Sequence, residues 1–401
     1  MIAAIALLFL LFLVTQGIHG FFKKRHKFFS VSLMNKLFLY HLIFWLTYYV
    51  YALNNPSDSR RYYNNTINFN GEWFELYGAG TTFIDFLAYP VTNLMGFSYE
   101  VSMALFAWLG YLGFIFSYLF FRENIPVKIK LLNRFDFLTV LLFLPNMHFW
   151  TSSLGKGSVI FLGIMMYVYA LKMPKARWIL LLLGALIIYH VRPHVLMFML
   201  VGTGLGFMSG QKNISMAKKI GVFLFVTVIL IAIQDKILAV LNLSGSENVV
   251  EDFQEFSSSR SQGLSEDAGS GVDMSSYPLP VKLFTFWFRP LFFDSPGILG
   301  LIVSMENLLY LLITLKIIKK DFISFIRKAP SLVKMSFVVF FATSFAMTFI
   351  MSNLGIIMRQ KSMVMYFLFF VIYYYLAEKK YKRIMFLKKL KEKRKHAVHV
   401  A

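Results

Sequence analysis

The chain has 401 residues, of which 58% are hydrophobic and only 15% charged, and its mean hydropathy is +0.62. A soluble fold of this length has too little interior to hide so much apolar surface, so the bilayer is the expected solvent for most of it. With no cysteine, a disulfide scaffold, thiol catalysis, iron–sulfur clusters and cysteine zinc sites are excluded, and the formal charge of +21 takes its meaning from where the cations fall.

Apolar runs of near-bilayer length predict spans at roughly 1–19, 34–53, 99–121, 135–150, 157–171, 177–190, 194–209, 219–242, 297–315, 331–351 and 362–378. The first is read as an anchor rather than a signal peptide: no basic stretch precedes it, and GFFKKRHK follows where a small-residue cleavage site would stand. Two of the runs, 135–150 and 177–190, are short for a hydrocarbon core about 30 Å thick and are expected to be broken or tilted. Alternate connecting segments, ending with the basic stretch 379–395, carry 31 of the 41 Lys and Arg. The opposite set keeps nine: Arg60, Arg61, Lys156, Arg192, Arg260, Lys282, Arg289, Arg359 and Lys361. Lys236 stands inside a span. The positive-inside rule makes the first set cytoplasmic. The expected fold is an all-α polytopic membrane protein of about 11 transmembrane helices, N-terminus outside and C-terminus cytoplasmic. Residues 1–378 form one transmembrane domain with external loops at about 54–98 and 244–290, and 379–401 form a basic cytoplasmic tail. That tail directly follows a span, so anionic lipid, not nucleic acid, is its expected partner.

In the first external loop, DSRRYY places Asp58, Arg60 and Arg61 just after the second span. The same loop has aromatics among polar residues and room for a short interfacial or re-entrant helix near 80–95. In PNMHFWTSSLGKG (145–157), Pro145 interrupts a helix and Gly155 and Gly157 permit an irregular turn. Irregular backbone at membrane depth is tolerated where it lines protein or a water-filled cavity. Lys156 then stands beside a helix start whose free N–H groups favour an anion; the plainer reading is a lysine snorkelling to the interface beside a belt aromatic, Trp150. YHVRPH (189–194) sets His190, Arg192 and His194 between two spans with almost no loop. Arg192 keeps its proton and offers a planar fork for phosphate or carboxylate, or else meets lipid phosphate at the headgroups.

The loop 244–290 is rich in Ser, Gly and acids through its middle. FWFRPLFFD (286–294) surrounds Arg289 and Asp294 with apolar residues, and the two either serve a site or pair with each other. Glu306 lies inside a span, where a pairing role is expected. SNLGIIMRQK (352–361) puts Arg359 and Lys361 at the outer end of the last span. Arg192, Arg289, Arg359 and Lys156 thus reach one face of the membrane from four different spans. Four cations around one cavity repel one another unless an anion fills it, and a diphosphate is the obvious membrane-associated candidate.

At DSRRYY (58–63), PNMHFWTSSLGKGSVIF (145–161), VRPHV (191–195), TFWFRPLFFDSPG (285–297) and NLGIIMRQK (353–361), the chain resembles the Wzy-type polysaccharide polymerases and the related EpsG-like proteins. The hydrophobic layout covers nearly the whole chain; the short motifs cover about a seventh of it. The resemblance implies an all-α protein of the bacterial inner membrane acting outside it on sugars carried by undecaprenyl diphosphate. It also implies other polysaccharide-assembly proteins as partners. Related glycosyltransferases with a lipid-phosphate donor often carry an Asp in the first external loop, where Asp58 stands. A paired-carboxylate DxD is missing, and no metal or cofactor is expected.

On this reading Arg192, Arg359, Arg289 and Lys156 bind the diphosphate, and Asp58 or His194 takes the acceptor proton. Trp73, Tyr77 and Trp150 are offered as stacking surfaces for sugar rings, against the commoner duty of a membrane belt. Two rivals stay open: a transferase adding one sugar from a lipid-phosphate donor, and a non-enzymatic transporter of a lipid-linked glycan. The transporter predicts working charges in the cytoplasmic half too, where only Asp136 and the Asp235–Lys236 pair stand out.

Overall fold

The computed structural model describes residues 1–400 except 132, 211–214, 241–270, 273, 275–276, 296 and 351–352. Most of the external segment expected at 244–290, with Arg260, therefore lies outside the described residues, as do the side chains of Asp235 and Lys236.

In chain order the helices are α1 (Ile2–Arg25), α2 (Val31–Asn54), α3 (Asp58–Ile67), α4 (Thr81–Tyr89) and α5 (Tyr99–Asn124). A two-stranded turn pairs Lys130 with Asp136 and Leu131 with Phe135. Then come α6 (Phe137–Leu142), α7 (Pro145–Thr151), α8 (Lys156–Ala170), α9 (Trp178–Val191), α10 (Pro193–Gly210) and α11 (Met216–Val240). The last group is α12 (Leu279–Phe288), α13 (Gly297–Thr314), α14 (Lys320–Lys328), α15 (Ser331–Ile350) and α16 (Leu354–Val400). The helix expected near 80–95 is α4 with the wide turn Pro90–Leu94 that follows it. The basic tail continues α16 without a break.

Among the described residues six helices are long and apolar enough to cross a membrane, and up to eight spans result if each sharply bent pair counts as one. The protein is a multi-pass helical membrane protein. The expected span at 135–150 is delivered in two pieces, α6 and α7, because Pro145 lacks the N–H that would continue a helix from α6. A bend of 113° then separates α7 from α8.

At the centre stand α5 and α8, apolar on every side and buried through most of their length; a helix with no polar face belongs inside a bundle. Around them α1 and α2 pack on α5, α9 packs on α8, and α10, α15 and α16 form the other half. Contacts between connecting segments fall into two groups. At one end Arg122 pairs with Asp136 at 2.6 Å, Arg177 with Glu123 at 2.5 Å, and Lys380 donates to the Lys128 carbonyl at 2.9 Å. At the other end Arg359 meets Asp58, and the Gly80 N–H donates to the His190 carbonyl at 2.6 Å. Three of the basic segments, around 122–136, 172–177 and 379–395, therefore meet at one end of the bundle.

Helix lengths shape the second end. With a rise of about 1.5 Å per residue, the 24 and 26 residues of α2 and α5 reach roughly 36–39 Å. The 15 of α8 and 14 of α9 reach only about 22 Å, less than the ~30 Å hydrocarbon core. Short helices between long ones leave a recess, and the charged residues gather there.

Candidate functional site

The recess is built from α3, α4, α7, α8, the α9–α10 junction and α16. Ser57 caps α3 by accepting the Arg60 N–H at 3.3 Å, which sets Asp58 in the first helical turn, where the helix dipole favours a carboxylate. One turn on, Arg61 reaches back to Asp58 Oδ1 at 2.8 Å. From α16, Arg359 donates through Nη1 to Asp58 Oδ2 at 2.5 Å, and its guanidinium stands 5.8 Å from the centre of the Trp150 ring. Lys156, the first residue of α8, donates to Thr81 Oγ1 at 3.0 Å. Gly80 precedes α4 with φ of +77°, a backbone state that suits glycine and brings this loop against the lysine. Arg192 is 8% exposed; it follows α9, where Pro193 stops one helix and opens the next, and it donates to the side-chain oxygen of Gln360.

These groups act on one another. Lys156 lies within electrostatic reach of Arg192, Arg359, Arg61 and Asp58, and Arg192 within reach of Arg359 and Asp58. Burial works against a charge on Asp58, but Arg359, then Arg61 and Lys156, outweigh it and hold the carboxyl below its ordinary range. Asp85 of α4 faces the same cations from further away: burial pushes its carboxyl up, while Asn65, Arg61 and Lys156 oppose that. Tyr48, Asp58, Tyr62, Trp150, Lys156 and Arg359 line a cleft of about 320 Å³. Its side chains stand close enough to leave room for one or two waters.

The cleft wall is braced from behind. Trp150 Nε1 donates to Asn146 Oδ1 at 3.0 Å, and Asn146 Nδ2 donates to the Met358 carbonyl at 2.9 Å. The Asn146 backbone N–H, in the first turn of α7, donates to the buried Glu306 at 2.8 Å; Glu306 also accepts from the Tyr310 hydroxyl. The sharp turn between α7 and α8 depends on Gly157: a Cβ there would lie 2.0 Å from the Trp150 carbonyl oxygen.

The structure brings Asp58, Lys156, Arg359 and Trp150 together in the cleft wall; Arg61 and Arg192 stand behind it within electrostatic reach of Asp58, Arg192 lining a neighbouring, mostly apolar space with Val195 and Gln360. Arg289 is elsewhere. Its guanidinium pairs with Asp294 and its carbonyl accepts from the fully buried Lys361 at 2.5 Å, so the pairing alternative applies and it is not a fourth wall of the cleft. His194 sits in the first turn of α10 and is not among the cleft-lining side chains. Trp73 and Tyr77 do not line it either. Trp73 stacks on Phe86 at 4.9 Å, and the Tyr77 hydroxyl meets His190 Nε2 at 2.6 Å; both serve to fasten the loop to α4 and α9. Sequence reasoning missed Gln360, Thr81 and the Asn146–Glu306 brace. Gln360 stands between the two cations of RQK, the one available signal; the brace joins residues 160 apart. Among the described residues no group of three or more His, Asp or Glu is placed to hold a metal ion. Comparison of the chain with family models, curated proteins and solved structures finds no match.

Proposed function

We propose that the protein is a membrane-embedded glycosyltransferase that joins oligosaccharides carried on a lipid diphosphate, a polysaccharide polymerase of the bacterial inner membrane. In this reading it has eleven spans, counting α6–α7 and α8 separately, with the cleft outside and the basic end in the cytoplasm. The observation that carries the reading is the gathering, among the described residues, of Arg61, Lys156, Arg192 and Arg359 within electrostatic reach of Asp58 in a recess of a membrane bundle. A cluster with that excess of cations asks for a polyanion, and guanidinium forks suit phosphate oxygens.

The chemistry follows from the placement. Arg359 and Arg192 hold the donor's diphosphate, with Lys156 and the open N–H groups at the start of α8 on the same anion. An acceptor hydroxyl attacks the anomeric carbon; its C–O bond forms as the bond to the diphosphate oxygen breaks. The acceptor proton passes to Asp58, which the arriving diphosphate frees from Arg359, and the lipid diphosphate leaves with the bonding pair. The cations meet charge that grows on the leaving oxygen, so they favour the transition state over the ground state. Asp58 takes the base role in preference to His194 because it faces the cleft. At the other end Asp136 is occupied, accepting from Arg122 and from the Thr139 N–H at 3.1 Å, which speaks for chemistry at one face over passage between two.

The test is polymer formation from a lipid-diphosphate oligosaccharide by purified protein in nanodiscs, read on a polysaccharide gel. Long polymer that disappears with Arg359→Ala is the expected result. Addition of a single sugar points to the lipid-phosphate transferase instead, and full-length polymer with Arg359→Ala removes the diphosphate role.

A further inference from the structure

A second space adjoins the cleft across one side chain. α2 and α13 each pack against α7 but touch one another little, so a groove opens between them with α7 as its floor. The space measures about 1150 Å³ with its open mouth included. Phe44 and Tyr51 of α2, Phe149 and Trp150 of α7, and Ile302 and Val303 of α13 are among the residues of its wall, and among the described residues no charged side chain lines it. Trp150 belongs to both spaces: it lines the groove and also the cleft, with Arg359 5.8 Å from its ring. An uncharged trough flanked by two membrane-crossing helices therefore ends within one indole of a cluster of cations.

That juxtaposition has the shape of an amphiphile. We propose that the groove receives the hydrocarbon chain of the lipid whose anionic head lies in the cleft, admitted sideways from the bilayer between α2 and α13. The proposal rests on the anion-binding reading of the cleft and adds the path by which the substrate reaches it. A hydrocarbon chain leaving lipid for an apolar groove gains little free energy, because the two surroundings are equally apolar. The groove therefore acts by registration: it fixes where the chain runs, and so where the diphosphate stops relative to Arg359. The Asn146 and Glu306 brace behind Trp150 keeps the partition between tail and head in place.

The experiment narrows the groove without touching the cleft. Val303→Trp and, independently, Gly300→Leu on α13 are assayed against two donors with the same oligosaccharide diphosphate, one on a long polyprenyl chain and one on a two-isoprene chain too short to occupy the groove. Both variants are expected to lower kcat/KM for the long-chain donor about tenfold or more, equivalent to about 1.4 kcal/mol, and to leave the short-chain donor within about twofold. Equal loss with both donors overturns the proposal, because the substitutions then act through the cleft. No loss with either donor overturns it too. A wild-type protein that turns over neither donor sinks the glycosyl-transfer reading, and the tail path is then decided by labelling alone. For that arm a lipid diphosphate with a diazirine at mid-chain is photolysed in nanodiscs. Labels on α2 and α13 residues of the groove, lost in Val303→Trp, support the path; labels spread over the lipid-facing helix α11 overturn it.

Discussion

The two ends of the bundle handle charge in opposite ways. At the basic end each buried cation has its own carboxylate: Arg122 has Asp136, Arg177 has Glu123, and these arginines are each 9% exposed. Those pairs are structural, since a cation drawn out of water into a membrane-edge core is stable only with its counter-ion in hand. At the cleft end Arg61, Lys156, Arg192 and Arg359 crowd around Asp58, and Arg192 spends its fork on the neutral side chain of Gln360. Charge matched one to one holds a fold together. Charge left in excess stores repulsion that an arriving anion relieves, and that difference separates a scaffold from a site.

The widest gap between the ends should appear in conservative exchange of arginine for lysine. Arg359→Lys and Arg192→Lys are expected to cut polymer formation at least about 100-fold while the protein still inserts and melts like the parent, because a single ammonium cannot reproduce a planar two-point grip. Arg177→Ala should do the reverse: it takes its arginine from the largely buried Glu123, leaving it to His26 at 3.6 Å, and costs about 3 kcal/mol of stability, read as a fall in melting temperature in detergent. If Arg177→Ala abolished activity without any loss of stability, the division between the ends would fail.

Asp58→Asn sharpens the same contrast from the acid side. Loss of the base should slow turnover about 10²–10⁴-fold. Loss of the internal counter-ion should at the same time tighten binding of inorganic pyrophosphate, measured by titration calorimetry against the parent. Weaker binding of pyrophosphate would mean that Asp58 organises the arginines and does not compete for them. Trp150→Phe is a smaller step: it keeps the ring beneath Arg359 but leaves the Asn146 oxygen without its donor, at about 1 kcal/mol, and should appear as a severalfold rise in KM with kcat nearly unchanged.

How much of this was legible in the sequence follows the range of the interactions. The helices were legible because hydrophobic run length and the alternation of Lys and Arg segments are local signals, and Pro145 marked its own break. Arg192, Arg359, Lys156 and Asp58 were legible because a charge next to an apolar span is costly wherever it stands. Arg289 looked the same as they did on that criterion. What distinguishes it is Asp294, five residues on and within reach only once the chain turns after α12. Trp73 and Tyr77 illustrate a related point: an exposed aromatic near a site and an aromatic pinning a loop have the same composition, and only the structure shows that these two contact Phe86 and His190. The groove has no sequence signal, because its emptiness is a relation between α2, α7 and α13.

The smallest expected effect lies in pH, where Asp58 and Asp85 should move in opposite senses. Asp58 is held below the ordinary carboxylate value in the folded protein. Its contribution to stability is therefore fully present above the unfolded value of about 3.9 and is lost as pH falls through the lower folded value. With its side chain 36% exposed, solvent screening limits the contribution to at most about 1 kcal/mol. Asp85 is raised by burial, so the unfolded chain gives up that proton first and stability declines as pH rises from the unfolded value to the folded one. The difference in melting temperature between parent and Asp58→Asn should be flat from about pH 5 to 8 and shrink below about pH 4. For Asp85→Asn the variant should gain on the parent as pH rises above about 4, then level off. Two carboxyls facing the same cations would then report, by opposite slopes, that contact with Arg359 decides in which of them the cations outweigh burial. Parallel slopes would show that the cations act on both alike, and that the cleft has no privileged counter-ion for a substrate to displace.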